Sequence, residues 1–226
     1  WMGNALAHIF REVPGLGGVY TITASENLTN CASHGDWKSC PRCKDRGDGD
    51  IIAEVNAVIE EGVHRSAPDA KVMISDWGWR GHGDAPDIIA KLPKSVYLMS
   101  VSEWHLPIER GGVKSTVGEY SISSVGPGPR SLAHWKVAMD LGLKTGTEIQ
   151  FNNTCEIASI PYLPVLDLVA EHCNNLESQA NLDALFIGWT MGGHPSPNLL
   201  IPQRFGKKPT PSIDTVLDEI AKERFG

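Results

Sequence analysis

The amino-acid sequence predicts an α/β fold built on a parallel sheet, of the (β/α)8 TIM-type barrel class. Three observations lead there. Strand-like apolar runs and helix-like segments alternate five times along the 226 residues. The strand-like runs are mostly continuous in apolar residues, as strands covered on both faces are. Carboxylate, amide and indole side chains recur where these runs end: Glu26-Asn27, Asp76-Trp77, Glu103-Trp104, Asn152-Asn153 and Trp189. An open doubly wound sheet shares the first two features. A dinucleotide-binding sheet of that kind places a Gly-rich turn directly after a strand, at the start of a helix. Here Gly15-Leu16-Gly17-Gly18 precedes a strand instead. In a barrel the strand ends all meet at one rim, where functional groups gather.

Each element has a local signature. Residues 4–13 place Leu6, Ile9, Phe10 and Val13 at helical spacing, and Pro14-Gly15 stops that helix. A strand over 19–23 runs into Ser25-Glu26-Asn27 and a long polar loop with three cysteines. Asp50 caps the next helix, whose stripe is Ile52, Val55, Ile59 and Val63. Residues 71–75 form the second strand, ending on Asp76-Trp77-Gly78-Trp79, and a short helix follows over 86–92. The third strand, 96–101, ends on Ser102-Glu103-Trp104-His105. Residues 106–130 are rich in Gly and Pro and read as irregular, with one short strand at 119–123. Ser131 caps a helix over 132–141 that Gly142 closes. The fourth strand, 147–151, ends on Asn152-Asn153-Thr154-Cys155-Glu156, and a helix over 162–174 follows. The fifth strand, 184–187, ends on Gly188-Trp189. Ser212 caps a polar helix over 213–224. Residues 1–203 thus read as a partial catalytic barrel, and 204–226 as a linker and the start of a C-terminal helical region.

Composition narrows the partners. The chain is 41% hydrophobic and 21% charged, an ordinary globular balance. A net charge of -7 with no Lys/Arg cluster argues against nucleic acid. No apolar run approaches the ~20 residues of a membrane span. Five cysteines, an odd number, do not suggest a disulfide framework in a chain this long. The chain opens at Trp1 inside a helical pattern, so its N-terminus is expected to be cut. An extracytoplasmic location follows only if upstream residues carry a signal peptide.

The strand-end groups suit glycoside hydrolysis, which takes one protonated and one ionised carboxyl group flanking the scissile bond. Sugar rings also pack their C–H faces on indoles, and four of the seven tryptophans, Trp77, Trp79, Trp104 and Trp189, fall at or just past strand ends. Glu26 and Glu103 are the expected pair, since neither has an adjacent Lys or Arg to occupy it. Asp76 and Glu156 are the reserve carboxylates. Asn27, Asp76 and Asn152 are placed to bind hydroxyls, and His105 lies in the same set of loops. No cofactor is required for this chemistry. Separately, Cys31, His34, Cys40 and Cys43 have the spacing C-x2-H-x5-C-x2-C. Zinc takes four Cys or His ligands tetrahedrally, and three thiolates suit a structural ion better than an activated water. Cys155 and Cys173 read as ordinary buried cysteines.

The run VYTITASEN, a Cys-bearing loop, a strand ending DWGW and a late strand ending GWTMGG together resemble the catalytic barrels of bacterial glycoside hydrolases related to family 20 β-hexosaminidases. The resemblance covers roughly residues 1–200. It implies that the five strands are strands four to eight, so that this chain holds an incomplete C-terminal portion of the barrel. It also implies that Glu26 is the general acid and the substrate an N-acetylhexosamine-containing glycan. One position departs from the family: an Asp precedes the acid there and orients the substrate's acetamide, whereas Ser25 stands here. Either another carboxylate takes that role or the mechanism uses two protein carboxylates.

Two other readings compete. A catalytically silent carbohydrate-binding barrel would keep the tryptophans but lack a properly spaced carboxyl pair. A metal-dependent barrel hydrolase needs His and Asp ligands at strand ends, and no strand here ends in H-x-H.

Overall fold

The structure, a computed structural model, describes residues 1–25, 27–33, 37–82, 85–152, 163–188 and 196–226. Its strands are β1 (Gly18–Ile22), β2 (Lys71–Ser75), β3 (Tyr97–Val101), β4 (Pro107–Arg110), β5 (Val113–Thr116), β6 (Lys144–Ile149) and β7 (Ala184–Ile187). Its helices are α1 (Met2–Glu12), α2 (Asp48–His64), α3 (Pro86–Ala90), α4 (Pro129–Asp140), α5 (Leu166–Gln179), α6 (Leu200–Phe205) and α7 (Ile213–Phe225). Strands β1, β2, β3, β6 and β7 form one sheet in that order. β1 runs parallel to β2 with Gly18 opposite Lys71, and β2 parallel to β3 with Met73 opposite Tyr97. The α/β class and the five principal strands match expectation. The spatial order follows the chain order without the reversal that marks a doubly wound sheet, and it is compatible with an incomplete barrel.

The chain divides into two compact units, Trp1–Ser100 with Ala133–Gly146, and Val101–Leu132 with Thr147–Gly226. In the first, the α2 stripe Ile52, Ile59 and Val63 joins Val72 and Ile74 of β2, Leu98 of β3, Ile89 of α3 and Trp79 in a single apolar core. Alternation explains β2: Val72 and Ile74 are buried while Lys71 is exposed. Helix α1 lies directly on α2. A Cβ at Gly62 would sit 2.5 Å from the Gly3 carbonyl oxygen, so only glycine permits this backbone approach. The indole of Trp135 in α4 donates to the Gly146 carbonyl at 2.9 Å, fixing the helix to its following strand.

In the second unit, α5, α6 and α7 pack on one another. They bury Val169, Ala170, Cys173 and Leu176 of α5, Ile201 and Phe205 of α6, and Val216 and Ile220 of α7. Arg204 reaches Glu219 at 3.5 Å and also pairs with Glu223, which ties α6 to α7. Ser212 caps α7 as expected, accepting from the Thr215 amide at 3.2 Å.

Several boundaries differ from the sequence reading. Residues 119–123 are not a strand. The irregular stretch instead holds the antiparallel hairpin β4–β5, with Arg110 opposite Val113 and the turn residues Gly111 and Gly112 at φ of 58° and 79°. Helix α4 begins at Pro129, because proline suits the first helical position. Ser131 therefore lies inside the helix, and its hydroxyl donates to the carbonyls of Ser102 and Gly128. Helix α2 begins at Asp48, with Gly47 at its cap. Asp50 sits in the first turn and pairs with Lys91 at 2.5 Å.

Candidate functional site

Three clusters of chemistry-bearing residues stand out, two at strand ends and one in the loop after β1. In the first unit, Asp76 follows β2 directly and its amide donates to the Met99 carbonyl at 3.0 Å. Its buried carboxylate accepts from the Ser100 hydroxyl and lies 2.5 Å from His134 Nδ1. Both partners reach Oδ2. His134 Nε2 is also buried, without a hydrogen-bond partner among the described residues. Trp77 donates its amide to the Ser75 hydroxyl at 3.2 Å, and it and Trp79 are both buried. Asn27 is exposed, and its carbonyl accepts from the Thr29 amide.

In the second unit, Glu103 stands two residues past β3 with only 2% of its surface exposed. The Ser121 amide donates to its Oε1 at 2.7 Å. Glu148, near the end of β6, is wholly buried, and the hydroxyl of Tyr120 donates to its Oε1 at 2.5 Å. The adjacent residues Tyr120 and Ser121 thus hold two buried carboxylates that come from different strands. Trp104 is buried, with the Arg130 guanidinium 4.4 Å from its ring centroid, a cation–π contact. His105 is exposed, in left-handed backbone at φ 59°, with its ring edge-on to Trp104 at 5.7 Å. Asn152 is buried, and its carbonyl accepts from the Leu163 amide at 3.2 Å. Ser102 and His172 share a hydrogen bond of 2.7 Å, and burial pushes the imidazole down to about 3. A Cβ at Gly126 would lie 2.8 Å from His172 Nε2, so backbone closes over this pair.

The third cluster is the cysteine loop, placed between β1 and α2. Cys31, Cys40 and Cys43 bring their sulfur atoms within 4.8 Å of one another. The Cys31 thiol donates to the neighbouring sulfurs, Cys40 first, which holds its proton up to about 11. Cys40 is lowered to about 7, chiefly by the Arg42 amide and then by Cys31. Three clustered thiols cannot all ionise in water without mutual repulsion, and a cation removes that penalty. Cys173, by contrast, is buried in α5 and its thiol is pushed up strongly by desolvation.

Of the residues singled out in the sequence, Glu26, His34, Glu156 and Trp189 lie outside the described residues, as does Cys155. Asp76 stands directly after β2 and Glu103 two residues past β3, near the strand ends where the sequence placed them. Sequence reasoning missed Glu148, Tyr120, His134, His172 and Arg130. Glu148 carried a signal: a carboxylate inside a strand of buried type is costly unless something pairs it. Tyr120 and Arg130 lay in a stretch without periodicity and carried none. No family model, curated protein or solved structure matches this chain.

Proposed function

We propose that this chain is the later part of a glycoside hydrolase barrel that cleaves O-glycosidic bonds. Glu26 acts as general acid and base, and Glu103 is the carboxylate that stays ionised. One observation carries the reading: Glu103 stands two residues past a parallel strand, is shielded from water, and receives a main-chain N–H at 2.7 Å. An N–H aimed at a carboxylate oxygen favours negative charge there. A shielded negative charge is what an oxocarbenium-like transition state needs opposite its proton donor. Glu148 and Tyr120 support the same reading, since the residue next to Ser121 holds a second buried acid through its hydroxyl. The substrate class follows the resemblance in sequence, N-acetylhexosamine-containing glycans, with Ser25 leaving the acetamide to another group.

The test is hydrolysis of aryl and unactivated glycosides by the protein carrying this chain and by two variants. Glu26→Gln should lose at least ~100-fold on unactivated glycosides and much less on aryl glycosides, whose leaving group needs no proton. Glu103→Gln should lose on both. Sugar binding without turnover of any O-glycoside would instead place the protein among carbohydrate-binding barrels.

A further inference from the structure

We propose that Cys31, Cys40 and Cys43 bind one zinc ion, which cross-links the loop between β1 and α2. Zinc binding there does not depend on the acid chemistry proposed above. Zn–S bonds of ~2.3 Å at tetrahedral angles hold sulfurs about 3.8 Å apart. The three sulfurs already lie within 4.8 Å, so an ion draws the loop in by about an ångström or less.

The backbone is shaped to present them. Cys40 and Cys43 sit on one tight turn, closed by the amides of Cys43 and Lys44 donating to the Cys40 carbonyl at 3.1 and 2.9 Å. The Trp37 indole donates to the Arg46 carbonyl at 3.0 Å and braces the two ends of that turn. Cys31 arrives from the other limb, where Asn30 Oδ1 accepts from the Ala32 amide at 2.8 Å.

The loop also needs a cross-link. Among its described residues from 27 to 47, Ala32 alone is buried. Trp37 and Cys43 pack only partly against the core, and a connection of this length with so little buried apolar surface recovers only part of its ordering entropy from packing. A metal supplies what a core does not. Three cysteines and a neutral fourth ligand make a closed structural site. The sequence offers His34 for that position, and the proposal rests on the three thiols alone. Binding converts three thiols to thiolates and releases their protons to solvent.

The experiment uses the whole chain, purified under reducing conditions without chelator. Elemental analysis should find about one zinc per chain. Replacement by Co²⁺ should give a thiolate-to-cobalt charge-transfer band. Cys31→Ser, Cys40→Ser and Cys43→Ser should each lower that band by about a third or abolish binding. Amide exchange on the unmutated chain, with zinc and after chelation, keeps the test independent of any folding defect in the variants. Protection across residues 37–47 should fall when zinc is removed. Sub-stoichiometric zinc with three reactive thiols would overturn the proposal. So would a disulfide between any two of the three in metal-free protein that still protects the loop, or a cobalt band indifferent to Cys31→Ser.

Discussion

Asp76 and His134 meet at 2.5 Å with neither side chain exposed to solvent. The Ser100 hydroxyl donates to the same carboxylate oxygen, so the acid after β2 is held from two directions within one unit. Removing one partner of a buried carboxylate pair typically costs about 3–5 kcal/mol. His134→Ala should lose that much in urea denaturation, and Ser100→Ala less. A loss below ~1 kcal/mol for His134→Ala would show that the imidazole does not support the carboxylate.

His172 sets a pH dependence with a definite sign. Its native pKa is depressed to about 3 by burial, below its unfolded value near 6.5. Between these values the unfolded chain binds a proton that the native state does not. Stability contributed by this group is therefore complete above about pH 6.5 and falls as the pH drops toward 3, by up to ~1.4 kcal/mol per unit. Denaturation midpoints at pH 7 and pH 5 should differ less in His172→Gln than in the unmutated chain. An unchanged difference would mean that other groups carry the acid sensitivity.

Tyr120→Phe removes a hydrogen bond to the buried Glu148 carboxylate. Bonds to charged groups are worth about 1.5–3 kcal/mol, so the variant should unfold at correspondingly lower denaturant. Tyr120→Phe and Glu148→Gln should couple in a double-mutant cycle. Strict additivity would show that the hydroxyl and the carboxylate do not act on each other.

Gly62→Ala drives a methyl group to within 2.5 Å of the Gly3 carbonyl oxygen. Both atoms belong to helices, so no flexible side chain can yield. The expected cost is about 1–3 kcal/mol, with faster amide exchange in α1. A variant as stable as its parent would mean that α1 shifts freely along α2.

Much of the architecture was legible because burial imposes a period. The β7 run Ala-Leu-Phe-Ile and the Ser212 cap of α7 were found where expected, each being a local pattern. Strand β6 begins three residues earlier than the apolar run suggests. Lys144, Thr145 and Gly146 are strand by pairing and not by hydrophobicity. The β4–β5 hairpin was signalled by Gly111-Gly112, a two-residue turn of positive φ, but its flanking strands are exposed and lack an apolar face to announce them. At the candidate site, Asp76 and Glu103 were legible as strand-end acids. The residues that hold them, His134 and Ser121, were not. They are 58 and 18 residues away in the chain, and no local pattern encodes a partner at that distance.

Two adjacent residues grip two acids: the Tyr120 hydroxyl holds Glu148 and the Ser121 amide holds Glu103. No residue can be added between these two grips without changing the span from one acid to the other. Upstream, the hairpin tip at Gly111 and Gly112 faces open space. Extra residues there lengthen an exposed turn and leave the calliper at 120–121 untouched. Variation in loop length can thus reshape the surroundings of this pair while the gauge between the two carboxylates stays set.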